Sequence, residues 1–253
     1  MAADLRTTVH TNMPSVLGDL EDLVRIPSVS ADPAAAGEVK RSADAVAALL
    51  VAEGLEVQVI AMPGGLPAVV GRRAAPPGQP TILLYAHHDV QPPGDPAGWD
   101  SPAFEPTPRG DRLYGRGSAD DKAGVMAHLA ALRAYGGAPP IGVTVFVEGE
   151  EEVGSPTLEA FLTEHRELLR ADVIVIADSS NWAIGRPALT TTLRGFADCD
   201  VEVRTLDHEV HSGMYGGAVP DALTALCRLL ATLHDDAGQQ DVRGRHSRPP
   251  LLV

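Results

Sequence analysis

Four short stretches of this chain are rich in side chains that bind cations or move protons: His87, His88 and Asp89; Asp120 and Asp121; Glu148, Glu150, Glu151 and Glu152; and Asp178. Imidazole and carboxylate donors without thiolates suit zinc, manganese or cobalt better than an iron–sulfur cluster or a structural zinc site. Two such ions about 3.5–4 Å apart need a bridging carboxylate and make water a strong nucleophile. One further carboxylate has to stay free as general base. Any single acid among these reads as a solvated loop residue. Four clusters converging on one rim read as a dinuclear metal site.

Convergence requires elements that bring distant stretches together. Short β-branched or apolar runs predict strands at 55–60, 68–72, 81–86, 141–147 and 172–177. Helical periodicity predicts helices over 14–25, ended by Pro27, and over 37–53, capped by Gly54. Further helices are predicted over 122–135 and 156–169. Alternation of strand and helix from Thr81 onward predicts an α/β fold with a mostly parallel central sheet covered by helices on both faces. Ligands bind beyond the carboxyl ends of strands in such a sheet. His87 to Asp89, Glu148 to Glu152 and Asp178 each follow a predicted strand, while Asp120 follows the glycine-rich turn Tyr114-Gly-Arg-Gly-Ser-Ala and opens a helix. Strand alternation puts His87 and Asp89 on one side and His88 on the other.

The texture changes near residue 188. Alternating runs at 188–193 and 196–204 predict antiparallel strands, followed by a helix over 219–234, a polar loop over 235–249 and an apolar Leu251-Leu252-Val253 ending that resembles a strand cut short. The division expected is one domain over 1–187 and the beginning of a second over 188–253, truncated at its end.

The 253 residues, 44% of them hydrophobic, are enough to bury a substantial core. A net charge of −14 repels phosphate backbones and argues against nucleic-acid binding. No apolar run approaches the roughly 20 residues needed to span a bilayer. Residues 1–12 lack the apolar stretch of a secretory signal, so a cytoplasmic protein is expected. The two cysteines, Cys199 and Cys227, fit neither a zinc knuckle nor a disulfide framework and are expected to be buried small hydrophobes.

Six ordered motifs resemble the clan MH metallopeptidases, which include carnosinases, aminoacylases, glutamate carboxypeptidases, acetylornithine deacetylase and succinyl-diaminopimelate desuccinylase. They are Ile26-Pro-Ser-Val-Ser30, Ala86-His-His-Asp-Val-Gln-Pro92, Tyr114-Gly-Arg-Gly-Ser-Ala-Asp-Asp-Lys122, Glu148-Gly-Glu-Glu-Glu-Val-Gly-Ser155, Asp172-Val-Ile-Val-Ile-Ala-Asp178 and His211-Ser-Gly-Met-Tyr-Gly-Gly217. The resemblance implies two divalent metal ions, zinc first and manganese or cobalt as alternatives. It makes His87 and Asp178 ligands of one metal, Asp120 the bridging carboxylate with a cis bond to Asp121, and Glu152 a ligand of the other metal. Asp89 orients the His87 imidazole, and Glu151 is the general base that takes a proton from water and passes it to the leaving amine. Glu148 and Glu150 are left as flanking acids, and Asp121 as a non-ligand. His211 falls in the part resembling the lid, where a histidine of dimeric relatives reaches the partner's substrate, so a homodimer is implied.

The segments around Asp89 and His211 are closer to the carnosinase-like dipeptidases than to the deacylases. Hydrolysis of a peptide bond in dipeptides or at a C-terminal residue is therefore expected, with an N-acyl amino acid deacylase as alternative and a non-catalytic scaffold as the reading of another class. His208-Glu-Val-His211 is not a zincin motif, because its histidines are three apart rather than four. The family completes its site with a histidine and carboxylate-gripping residues beyond the lid. They have no counterpart here, so the chain alone is expected to be inactive or nearly so.

Overall fold

A computed structural model describes residues 5–196 and 199–234. The expected 235–249 loop and the terminal apolar triplet lie outside them. The chain divides into two compact units, Met1–Thr190 and Thr191–Val253.

The first unit is built on a five-stranded sheet of β1 (Glu56–Ile60), β2 (Ala68–Arg73), β3 (Thr81–His87), β6 (Gly142–Glu148) and β7 (Val173–Ile176), in the order β1-β2-β6-β3-β7. β3 is parallel to both β6 and β7, whereas β2 is antiparallel to β6 and to β1. Four of the five strands thus point the same way and β2 runs against them. The five strands predicted between residues 55 and 177 all form, each within a residue or so of its expected ends.

Helices cover both faces. On one side α1 (Leu5–Val24), α2 (Ala36–Ala52) and α3 (Lys122–Ala134) bury Val16, Leu20, Leu23, Val46, Leu50, Val125 and Leu129 against Val69, Leu84, Ala86, Val143, Val145 and Val147. The strand residues that alternate with these, Ala68, Val70, Leu83 and Phe146, face the other way and pack with Phe161 of α4 (Leu158–Glu164). Phe146 and Phe161 stack with ring centroids 5.1 Å apart. Gly54, at φ +78°, reverses the chain after α2 in a conformation that suits glycine.

Several expectations need correction. α1 begins nine residues before Pro14, which sits inside the helix. α4 is shorter than the 156–169 pattern suggested. A hairpin of β4 (Thr107–Arg109) and β5 (Arg112–Tyr114) is additional. Its two-residue turn starts at Gly110, φ +64°, the chemistry of a tight hairpin turn. β7 lies at the sheet edge, and its Val173, Ile174, Val175 and Ile176 are all exposed.

In the second unit the expected antiparallel strands at 188–193 and 196–204 are absent among the described residues, and Leu189, Leu193 and Phe196 are exposed. Alternation specifies which face of a strand is apolar, but a strand also needs a neighbour to hydrogen-bond and a surface to cover. α5 (Ser212–Tyr215) and α6 (Ala222–Ala231) do form, and the Asp221 carboxylate accepts a hydrogen bond from Thr224 N at 2.7 Å as the cap of α6. Cys199 and Cys227 are exposed, not buried. The reason is the same, since α6 buries none of its residues among those described.

One buried polar group ties two helices of the layer together. Lys122, the first residue of α3, is fully buried and donates from Nζ to Leu23 O at 2.8 Å and Ile26 O at 2.7 Å. Burial lowers its pKa to about 7. The contacts lock the end of α1 and its exit to the residue that follows the Asp120-Asp121 pair. Replacing Lys122 by Met removes these donors without opening a large cavity. We expect K122M to lower stability by about 1–3 kcal/mol in urea unfolding; an unchanged midpoint would mean that the ammonium contributes nothing.

Candidate metal centre

Three adjacent strands deliver the ligand-type residues to one rim. His87 ends β3, and its ladder partner is Glu148 at the end of β6. Glu151–Val153 form a 3-10 turn just beyond β6, Asp178 lies two residues past β7, and Asp120 lies two residues before α3. The Asp120-Asp121 peptide bond is cis.

The geometry brings together the five ligand or base candidates. His87 Nε2 lies 3.1 Å from Asp120 Oδ1, 3.7 Å from Glu151 Oε2 and 3.9 Å from Asp178 Oδ2. One potential ligand atom each from His87, Glu151 and Asp178 fit within 4.8 Å of one another, and so do those of His87, Asp120 and Glu152. His87 is fully buried, whereas the Asp120, Glu151 and Asp178 side chains are partly open to solvent. The rim is therefore accessible from one side and closed from the other.

Asp89 underlies this arrangement. It is fully buried, with Oδ1 3.3 Å from His87 Nδ1. Its two oxygens accept hydrogen bonds from Glu151 N at 3.2 Å and Glu152 N at 3.1 Å. One carboxylate thus orients the imidazole and holds the turn that carries both glutamates. Burial opposes its ionisation, but the hydrogen bond and charge of His87 and the backbone donors prevail and keep its pKa low.

The electrostatics are those of crowded negative charge. Burial pulls the His87 pKa down, yet Asp89, Asp121 and Glu151 outweigh it and push it up to about 10. Glu151 is raised by burial and by Asp178, Glu152 and Asp89, against the attraction of His87. A set of one imidazole and four carboxylates whose mutual repulsion is relieved by positive charge fits divalent cations that prefer oxygen and nitrogen donors.

The neighbours are accounted for by packing. His88 faces away from the cluster, where Nε2 lies 2.9 Å from Pro67 O and burial lowers its pKa to about 4. Asp121 turns inward and accepts from His87 N at 3.1 Å. Gly124 is needed there, because a Cβ would lie 2.2 Å from Asp121 Oδ1 and 2.4 Å from Ala177 O. Glu150 is buried and accepts from Leu66 N at 2.9 Å, Thr157 N at 2.8 Å and the Thr157 hydroxyl. Glu148 accepts from Tyr85 OH at 2.8 Å. His128 bonds Tyr85 O at 2.8 Å. Gln91 was given no role by the sequence, although it stands in the His87 motif; its Nε2 donates to Glu152 O at 3.0 Å and Glu152 Oε2 at 2.8 Å. His211 belongs to the second unit, where it is exposed and its Nδ1 accepts from Gly213 N at 3.0 Å.

No helix among the described residues is long and apolar enough to cross a membrane. The chain is 38% identical over 236 residues to a cysteinylglycine-S-conjugate dipeptidase of Corynebacterium striatum, a match covering 92% of this chain and 52% of that protein. It is 34% identical over 177 residues to a mouse Beta-Ala-His dipeptidase, covering 68% of this chain and 36% of that protein. Among solved structures it resembles human carnosine dipeptidase 1, with a TM-score of 0.73 at 25% identity over 95% of this chain and 54% of that one. The fold also matches that of the di-peptidase Dug1p of Saccharomyces cerevisiae, with a TM-score of 0.74 at 22% identity over 96% of this chain and 55% of that one. The chain therefore spans about half the length of the relatives that it matches most fully. Residues 83–246 match the model of peptidase family M20/M25/M40, and the chain belongs to that family.

Proposed function

We propose that this protein is a metal-dependent hydrolase of the peptide bond in dipeptides or at a C-terminal residue. The observation that carries the reading is the closeness of Asp120, Glu151 and Asp178 to one buried imidazole nitrogen. Relatives named as dipeptidases support the substrate class. In this reading His87, Asp120, Glu152 and Asp178 would hold two divalent cations, zinc first, Asp120 being the carboxylate offered to both. Bound there, the cations would acidify water and polarise the scissile carbonyl.

The protein's own residues supply the rest. Glu151, partly exposed at the rim, accepts a proton from water at its carboxylate and returns it to the leaving amine. Burial and the neighbouring Asp178, Glu152 and Asp89 raise its pKa, the direction that makes a carboxylate a better proton acceptor. Asp89 keeps His87 Nδ1 engaged so that Nε2 points at the rim. Residues 1–187 act as the catalytic domain and 188–253 as the beginning of an α+β lid or dimerisation domain, with His211 the residue offered to the partner subunit's substrate. Homodimerisation through this lid fits the exposed apolar Leu223, Leu229 and Leu230 of α6. Two exposed free cysteines suit a reducing compartment, the cytoplasm.

Glu151 and Asp89 separate the chemical role from the positioning role. In the metal-loaded protein, E151Q should lower kcat by about 10²–10⁴-fold while binding zinc with wild-type stoichiometry; wild-type turnover of Xaa-Gly and Xaa-His dipeptides by E151Q would remove Glu151 as base. Faster turnover of N-acetyl amino acids than of dipeptides would make the protein a deacylase instead. D89N should weaken zinc binding by about 10–100-fold in calorimetric titration, and unchanged affinity would show that the Asp89 clamp is dispensable.

A further inference from the structure

Glu152 is tied to the first strand-end segment twice. Its backbone N–H bonds Asp89, while the Gln91 carboxamide donates to both its carbonyl oxygen and its Oε2. No other side chain among the described residues donates to the Glu152 carboxylate. Gln91 can hold that carboxylate because its own backbone is held on both sides. Val90 N donates to Ser28 O at 2.9 Å within a parallel bridge to Val29, and Arg116 Nη2 reaches Pro92 O at 3.3 Å.

We propose that Gln91 is a positioning residue for Glu152, fixing one carboxylate oxygen so that the other is presented to a cation. The inference rests on the reading of Glu152 as a metal ligand. Glutamate has three freely rotating side-chain bonds, and ordering such a chain costs free energy when the ligand must supply it on binding. A donor that already restrains the side chain removes part of that cost. The chemistry of the donor matters as much as its place. A lysine or arginine here would neutralise the carboxylate and compete with the cation for it. The neutral amide restrains Glu152 while leaving its charge available. It uses both of its hydrogens on one residue, which couples the side-chain rotamer to the position of the turn.

The experiment compares Q91M, Q91A, E152A and the double variant Q91M/E152A in the full chain, titrated with cobalt(II) and zinc(II) by calorimetry and by the cobalt absorption spectrum. Melting temperatures confirm that each variant is folded, as expected for an exposed side chain. Q91M and Q91A should each weaken one of the two bound ions by about 10–100-fold and leave the other unchanged. Q91M should add nothing in the E152A background. Wild-type affinity of Q91M for both ions, with E152A impaired, would overturn the role of Gln91 alone. A further loss of affinity in Q91M/E152A would also overturn it, because Gln91 would then act through another group. If E152A itself binds both ions normally, the underlying reading of Glu152 as ligand fails instead.

Discussion

Carboxylates gathered around one imidazole repel one another, and the fold has to hold them together before any ion can contribute. Backbone hydrogen bonds from rigid elements do this. Asp89 accepts the amides of Glu151 and Glu152, Asp121 accepts the amide of His87, and Glu150 accepts the amides of Leu66 and Thr157. Each of these acids is buried and spends its charge on N–H groups. The acids left facing solvent, Asp120, Glu151, Glu152 and Asp178, are then free to concentrate negative charge at the rim. Buried acids act as fasteners, and the partly exposed acids gather at the rim.

This division of labour explains the run Glu150-Glu151-Glu152. Three identical side chains in succession point to different environments because the chain leaves a strand and enters a 3-10 turn at that point. Glu150 goes under the turn toward α4, while Glu151 and Glu152 turn up toward His87. The same logic covers His87 and His88, adjacent residues of which one faces the acid cluster and the other packs on Pro67. Opposite pKa shifts follow, upward for His87 under the carboxylates and downward for His88 under burial.

Much of the first unit was legible from local pattern. The strands and α2 and α3 were readable because apolar period and turn residues agree there, as at Gly54. The direction of β2 was not, since a strand's apolar pattern is the same whichever way it runs. The β4–β5 hairpin is too short to show a period, although Gly110 marked its turn. In the second unit alternation suggested strands for which no pairing neighbour exists among the described residues, so the pattern failed as a guide to structure.

The sequence by itself determined the inventory of the site, namely an imidazole and carboxylates placed just after strands or just before a helix, because a local element dictates where its own ends fall. Only the tertiary structure decided which of those groups meet. The approach of Asp120, Glu151 and Asp178 to His87 depends on β6, β3 and β7 being neighbours in the sheet, and that order is set by burying two apolar faces at once. The contact of Gln91 with Glu152 spans 61 positions of chain, a distance over which periodicity carries no information and packing carries all of it.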